Sequence, residues 1–566
     1  MISIRQLLRF RLLAFTLLLL SSLSVASCQD SPEPYDFQKY YRFSQADTLR
    51  GAMSPLRDCY DVAYYRLEVK VDPKSKTIAG QVGIFAKATR SFTRLQIDLF
   101  PEMNIKSIKY QGKKLDYERE HAAVFIDFPE EITGEFVIDV SYHGTPIVAE
   151  FAPWDGGFIW AEDDNDNPWI GVACEGMGAS SWWPNKDHLS DEPDSMDIIV
   201  EVPSELMCVS NGDLMDVKKN GKTTTYHWKV DYPINNYNVT LNIADYVHFS
   251  DEVKSQDGEI LPIDYYVLRD NEEKAKEHFA QTAGVLEAFE HWFGPYPFWN
   301  DGFALVETPY LGMEHQSAIA YGNNYKRGYL GRLKPDELNF DYIIVHEAGH
   351  EWWGNSVSCK DHAEMWIHES YTTYMEALYV EYHHGYDMAL RYLYHQKSQI
   401  ANRQPIVGPL HVNFGGWRSS DHYYKGAWVL HSMRHSLPEG KDWREYLQAL
   451  YHEFEMGFAD TEEIIAFSSD YLGRNYEPFF RQYLYHQDIP VLQYDTEQRG
   501  DDLVLSYRWE TFHKDFDMDF QVQVAEQDHR LSPTTEWQEI TIPNVTGDEI
   551  IMRDDLYLID TDKVRR

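Results

Sequence analysis

Val345-His346-Glu347-Ala348-Gly349-His350-Glu351-Trp352-Trp353 is the stretch on which the reading of this chain turns. Histidines at i and i+4 lie one turn apart on one face of a helix, close enough for both imidazoles to reach one ion. Glu347 projects beside them and can hold a water without being a ligand. Alone, the pattern also fits a capped or surface helix that happens to carry two histidines. Glu369, in Trp366-Ile367-His368-Glu369-Ser370, weighs against that. It follows His350 after 18 intervening residues, enough for one helix to end, turn and feed a second one back. His346, His350 and Glu369 then make a donor set with the fourth position open, which is the composition of a catalytic zinc site. One Zn2+ per chain is the expectation, since this donor set suits zinc best among divalent ions. Apolar and helix-forming residues on both sides (Ile343, Ile344, Val345; Met375, Ala377, Leu378) fit two packed helices. Glu376, about two helical turns beyond Glu369, is placed either to orient a ligand or as an ordinary helix-surface carboxylate.

Outward from this stretch the periodicity changes twice. Upstream, from Tyr64 to about Tyr246, the chain is strand-like: Leu95, Ile97 and Leu99 alternate with Gln96 and Asp98, the pattern of a half-buried strand. Lys113-Lys114 and Asn211-Gly212 read as turns between such runs. Beyond Asp270, Phe279, Ala283, Leu286, Phe289 and Phe293 recur every three or four residues until Gly294-Pro295 stops the helix. After Pro490 alternation returns in Phe516, Met518, Phe520, Val522 and Val524. The expected class is multidomain α+β. A β-sheet domain spans 29–250, a mainly helical domain with the metal residues 251–489, and a small β-sandwich-like domain 490–566.

A further segment, Tyr310-Leu311-Gly312-Met313-Glu314-His315-Gln316, follows the strand-like Phe303-Ala304-Leu305-Val306. HExxH, 18 residues, then Glu, preceded by this Gly-x-Met-Glu segment, resembles the aminopeptidase N and leukotriene hydrolase family of gluzincin zinc metallopeptidases. The resemblance covers nearly all of the chain after residue 28, and that family's β, thermolysin-like and small β domains occur in this order. It implies that His346, His350 and Glu369 are zinc ligands and Glu347 the general base. It implies that Glu314, within Gly312-Met313-Glu314, binds the substrate's α-ammonium group, with Glu175 as a second amine-binding glutamate. Tyr423, in His422-Tyr423-Tyr424-Lys425-Gly426-Ala427, matches the tyrosine that stabilises the oxyanion, and Tyr424 is the adjacent alternative. Three departures bear on side-chain preference and on contacts around the ligands. His315 stands where the family has Asn, His368 stands where it has Asn before the glutamate, and Ser180-Ser181-Trp182-Trp183 lacks the usual Ala-Arg pair. The implied activity is hydrolysis of the N-terminal peptide bond of peptides with a free amino end. A zinc endopeptidase, which would need neither Glu314 nor Glu175, and an inactive surface-binding scaffold are the competing readings.

The remaining features set the surroundings. The 566 residues carry 91 acidic against 51 basic side chains, a net charge of −40 that repels phosphate backbones and excludes nucleic acid as a partner. Arg5, Arg9 and Arg11 precede a short apolar run, Leu12 to Leu20, and the segment ends Val25-Ala26-Ser27-Cys28. This is the layout of an export signal over 1–28, and its end resembles a bacterial lipobox. The expectation is an exported protein attached to a bacterial membrane by a lipid on Cys28; oligomeric state is open. Cys59, Cys174, Cys208 and Cys359 form no CxxC pair, and their spacing chooses no disulfide. Trp182-Trp183 and Trp352-Trp353 read as packing rather than as a substrate pocket.

Overall fold

The computed structural model describes residues 35–565 except 257 and 546–549, so the export segment and Cys28 lie outside the described residues. From Asp36 onward the chain is one compact unit. No helix among the described residues is long and apolar enough to cross a membrane.

The first half is β. Its largest sheet runs Asp213–Asn220, Thr223–Val230, Ser195–Pro203, Tyr60–Asp72, Thr77–Ala88, Glu135–Gly144, Met103–Tyr110 and Lys113–Lys114 in spatial order. Leu67, Val69 and Val71 point into the core while Arg66, Glu68 and Lys70 face outward, the period-2 pattern expected of a one-sided strand. Two readings change here. Lys113-Lys114 is not itself a turn but a short strand pairing with Lys109 and Tyr110, and the turn is Gln111-Gly112, both at positive φ. The strand Phe92–Asp98 is buried on both faces rather than half-buried, with Gln96 and Asp98 at 1% and 0% exposure. An N-terminal strap covers its polar side. Asp98 accepts from Arg57 at 2.6 Å and from Gln96 at 2.9 Å, and Gln96 also donates to the Leu49 carbonyl.

A second sheet orders Tyr246–Lys254, Ile260–Leu268, Phe303–Glu307, Ile319–Tyr321 and Gly312–Met313. The boundary drawn at 250/251 cuts its first strand in two. Tyr246–Lys254 pairs along its whole length with Ile260–Leu268, so the strand goes with the sheet that carries Gly312–Met313. Helices α1 (Thr282–Phe293) and α2 (Tyr342–Gly349) pack on this sheet, α3 (Trp366–His384) packs on both of them, and α4 (Tyr386–Lys397) and α5 (Tyr424–Ser436) pack on α3. Every residue of α2 is buried. Its N-terminus is fixed by Asp341, which caps Ile343 N–H at 2.9 Å and is itself held by His278, Tyr321 and Asn323 at 2.6–2.8 Å.

The last residues form two small sheets, one ordered Gln538–Ile542, Asp502–Glu510, Val491–Arg499, Asp560–Lys563 and the other Gln527–Leu531, Phe520–Val524, Ile550–Met552. Their inward side chains, among them Leu492, Trp509, Phe520 and Tyr557, join the core of the helical region. Phe516 and Met518 of the alternating run are buried but precede the strand. The tryptophan pairs are packing: all four are fully buried, and Trp353 stacks on Tyr371 at 3.8 Å. The four described cysteines are buried and unbridged. The Asn238-Val239-Thr240 sequon is buried as well, so it presents no surface acceptor.

Candidate active site

Two helices build the metal residues. His346 comes from α2 and His350 caps its end, while Glu369 sits in the first turn of α3. The facing atoms are His346 Nε2 to His350 Nε2 at 3.2 Å and Glu369 Oε2 to the two Nε2 atoms at 3.4 and 3.5 Å. A tetrahedron with metal–ligand bonds of ~2.05 Å has edges of about 3.3 Å, so the three atoms already occupy three corners of a zinc site. Glu369 Oε2 is buried and accepts no hydrogen bond, an orphan that an ion would satisfy. The outer nitrogens are set to donate. His346 Nδ1 faces Glu376 Oε1 at 2.8 Å, and His350 Nδ1 faces the Trp353 carbonyl at 2.9 Å, which leaves each Nε2 lone pair for a ligand. Glu376 is therefore an orienting carboxylate and not a surface group; it is 0% exposed and also accepts from Tyr392 and Gln396. The donors fit zinc.

A cavity of about 680 Å³ opens over this trio. Glu175, Gly312, Met313, Glu314, Glu347 and Tyr423 all line it, so every site residue read from the sequence, Cys28 apart, meets in one place. Glu347 lies against Gly312, where an added Cβ would stand 2.5 Å from its carboxylate oxygen, so only glycine leaves the glutamate room. Gly312–Met313 is the terminal strand of its sheet, paired through Gly312 with Tyr321 and through Met313 with Ala320. Glu314 is buried and accepts from the Tyr237 hydroxyl at 3.0 Å, while Asn355 donates to its carbonyl at 2.8 Å. Oxygens of Glu314 and Glu347 lie within 4.8 Å of each other and of His350. Tyr423 stacks on His346 at 5.9 Å, and both it and Tyr424 line the cavity. After burial, Glu369 weighs most on the Tyr423 phenol and Glu376 on that of Tyr424, and the Tyr423 ring lies against His346, which separates the two candidates.

Electrostatics follow from this crowding. Burial pushes Glu347 up to about 8 against the pull of His346 and His350. Glu175 is raised well above the carboxylate range by burial and then by Glu314, Glu369 and Glu347. Burial also raises Glu314; His350 opposes the shift and Glu369 adds to it. Glu369 goes the other way: despite burial, His350 and His346 hold it well below its usual range. Burial and the Glu369 and Glu175 carboxylates keep the Tyr423 phenol protonated, hence a donor. The departures are neutral groups. Burial lowers His315 and His368 to about 3, and His368 Nε2 accepts from the Cys359 N–H at 2.9 Å.

Several cavity residues had no local signal. Arg50, His362 and Trp417 line the cavity without a motif, while Asn413 and Tyr237, outside its lining, hold the Glu175 loop and Glu314. Only folding brings them to the site.

Comparison with known proteins agrees with the geometry. The Peptidase M1 N-terminal domain matches residues 62–237 and the Peptidase family M1 domain residues 277–483. A probable aminopeptidase 2 of Sulfurisphaera tokodaii is 24% identical over 284 residues, covering 48% of this chain and 33% of its own length. Aminopeptidase M1-D of Oryza sativa subsp. japonica is 23% identical over 453 residues, covering 76% and 50%. The chain thus spans between a third and a half of these curated relatives. Among solved structures, an M1 zinc metallopeptidase mutant from Deinococcus radiodurans bound to a Tyr-Ser-Ala substrate has a TM-score of 0.66 at 18% identity, covering 78% of this chain and 98% of that one.

Glu376→Gln should weaken zinc binding about 10- to 100-fold, as loss of an orienting partner does elsewhere. Competition with a chelator measures it, and an unchanged affinity would contradict the role given to Glu376.

Proposed function

This chain belongs to the M1 peptidase family, and we propose that it is a zinc-dependent aminopeptidase that releases the first residue of peptides with a free amino end. The observation that carries the reading is the charge of the cavity. Glu314, Glu347 and Glu369 are buried round it, Glu175 is half-buried at its wall, and Arg50 is the only lysine or arginine among the described lining residues. The Arg50 guanidinium donates to backbone carbonyls and not to these carboxylates. Carboxylates so placed call for cations. A dication on His346, His350 and Glu369 answers part of that demand. A substrate ammonium between Glu175 and Glu314 answers the rest.

Zinc, when bound, supplies a Lewis acid and a water acidic enough to serve as nucleophile near neutral pH. Glu347, beside the ligands and against Gly312, is placed where it would take that water's proton and return it to the leaving amine. Tyr423 donates its hydroxyl proton as a hydrogen bond to the oxygen on which negative charge develops. Gly312–Met313, as the terminal strand lining the cavity, offers backbone groups along which an extended peptide can lie. Glu175 and Glu314 grip the terminal ammonium through charge-assisted hydrogen bonds. That fixes the scissile bond one residue away and supports an exopeptidase over an endopeptidase.

The same reading places the enzyme outside the cytoplasm, held to a bacterial membrane by a lipid on Cys28. The basic start, the short apolar run and the Val25-Ala26-Ser27-Cys28 ending support it. Mass spectrometry of the mature N-terminus should find a diacylglyceryl-modified Cys28, and an unmodified cysteine or a different cleavage point would refute the anchor.

Cleavage of matched free and N-acetylated peptides tests the activity. Free peptides should lose their first residue at least ~100-fold faster, because acetylation removes the charge that both glutamates bind. Equal rates, or internal cuts, would overturn the aminopeptidase reading.

A further inference from the structure

The segment Asp36–Asp61 lies outside both matched family regions, yet it contributes a side chain to the catalytic cavity. It forms a strap between the β region and the loop around Phe414. At one end Tyr41 donates to Gln404 at 2.8 Å, and the rings of Phe37 and Tyr41 pack edge-on against Phe414 at 5.5 and 5.2 Å. In the middle a short helix, Gln45–Gly51, starts from a Ser44–Asp47 capping box. Gly51 presses so closely on the backbone of Val412 and Asn413 that an added Cβ would stand 2.1 Å from the Asn413 nitrogen. At the other end Arg57 makes its buried ion pair with Asp98 and reaches back to the Arg50 carbonyl at 2.5 Å. Strap, β-sheet region and helical region are thereby tied together, with Arg50 at the centre.

Arg50 points at the loop that carries Glu175. One guanidinium nitrogen donates to the Gly176 carbonyl at 3.2 Å and also to the Met177 carbonyl, and its planar group lies over the Phe100 ring at 5.1 Å. Asn413 donates to the same Gly176 carbonyl at 2.8 Å. The loop is a tight one, with Gly178 N–H bonded to the Cys174 carbonyl at 2.6 Å, Met177 N–H to the Glu175 carbonyl at 2.7 Å, and Gly176 at φ 70. Glu175 shares the cavity wall with Glu314, Glu347 and Glu369. The donors of Arg50 and Asn413 reach the residues immediately after it.

We propose that Arg50, with Asn413, is a positioning residue for Glu175: the strap clamps the Gly176 and Met177 carbonyls so that the Glu175 carboxylate stays aimed at the substrate ammonium. The inference deepens the aminopeptidase reading and rests on it. A guanidinium whose tip nitrogen bonds two carbonyls while its planar group lies over the Phe100 ring is reproduced only in part by lysine, which lacks the planar face. Because the ammonium is held before and during reaction alike, loosening Glu175 weakens binding more than turnover.

Steady-state kinetics of the zinc-loaded protein on a leucyl tripeptide tests this. Arg50→Ala should raise KM by about 10- to 100-fold while kcat changes less than ~3-fold, and Arg50→Lys should recover part of the loss. Zinc content should stay at the wild-type level. Asn413→Ala, which leaves the strap and Arg50 intact, should raise KM by ~3- to 10-fold and carries the test should Arg50→Ala misfold. The decisive arm is the Glu175→Gln background, where Arg50→Ala should add less than ~2-fold because the group it positions is already lost. The same KM increase in both backgrounds, or a fall in kcat with KM unmoved, would overturn the proposal. A wild-type protein that cuts N-acetylated peptides as fast as free ones would remove the aminopeptidase reading and this inference with it, whereas a wild type selective for free ends with an additive Arg50→Ala removes the inference alone.

Discussion

Gathering four glutamates at one cavity, where burial first and mutual repulsion second disfavour their charge, is the constraint that the rest of this structure holds in check. Glu175, Glu314, Glu347 and Glu369 come from four separate segments and would spread apart or take up protons if the backbone allowed it. Each is tied differently. Glu369 rides on the first turn of α3, buried from Trp366 to Val380, and Glu347 on α2, whose start is locked by Asp341 and its three partners. Glu314 is pinned by Tyr237 and, through its carbonyl, by Asn355. Glu175 stands on a glycine-bounded loop gripped from the strap. A rigid scaffold that keeps like charges together stores binding energy for the cations that complete the site.

The metal centre was the most legible part of the sequence, because helical spacing pairs His346 with His350 and the 18-residue interval brings Glu369 back on a second helix. Glu376 was left between two roles, since sequence gives the face of a helix but not what covers it; the His346 contact decides it. The strand at Leu95–Leu99 misled for the same reason. Gln96 and Asp98 alternate like solvent-facing residues, but a distant strap brings Arg57 to pair with Asp98 and buries both polar side chains. The boundary at 250/251 failed because alternation cannot say which sheet a strand joins. Lys113-Lys114 was too short a strand to show any period.

The amine end of the cavity was only half legible. Glu314 and Glu175 stand in segments whose resemblance to a family named them, whereas the groups that hold them are scattered over the chain. Tyr237, Asn355, Asn413 and Arg50 are each ordinary residues in their local sequence. The division has a physical basis. Ligands of one ion must converge within a few ångströms and so impose spacing on the chain. Supporting residues need only one donor at the right point, and any segment the fold brings there can supply it.

Without zinc, keeping Glu347 ionised in its buried place among other carboxylates costs the folded state stability, and the thermal stability of the zinc-free protein reads that cost. A carboxyl whose pKa is raised by folding, as Glu347 is from 4.5 to about 8, costs the folded state nothing below pH 4.5. The cost grows as pH climbs and is complete above about 8. Replacing Glu347 by Gln removes that cost while keeping the shape. The melting temperature of zinc-free Glu347→Gln should therefore exceed that of the wild type at pH 8, and the gap should close toward pH 5. A variant less stable than wild type at pH 8, or a gap that ignores pH, would contradict the claim.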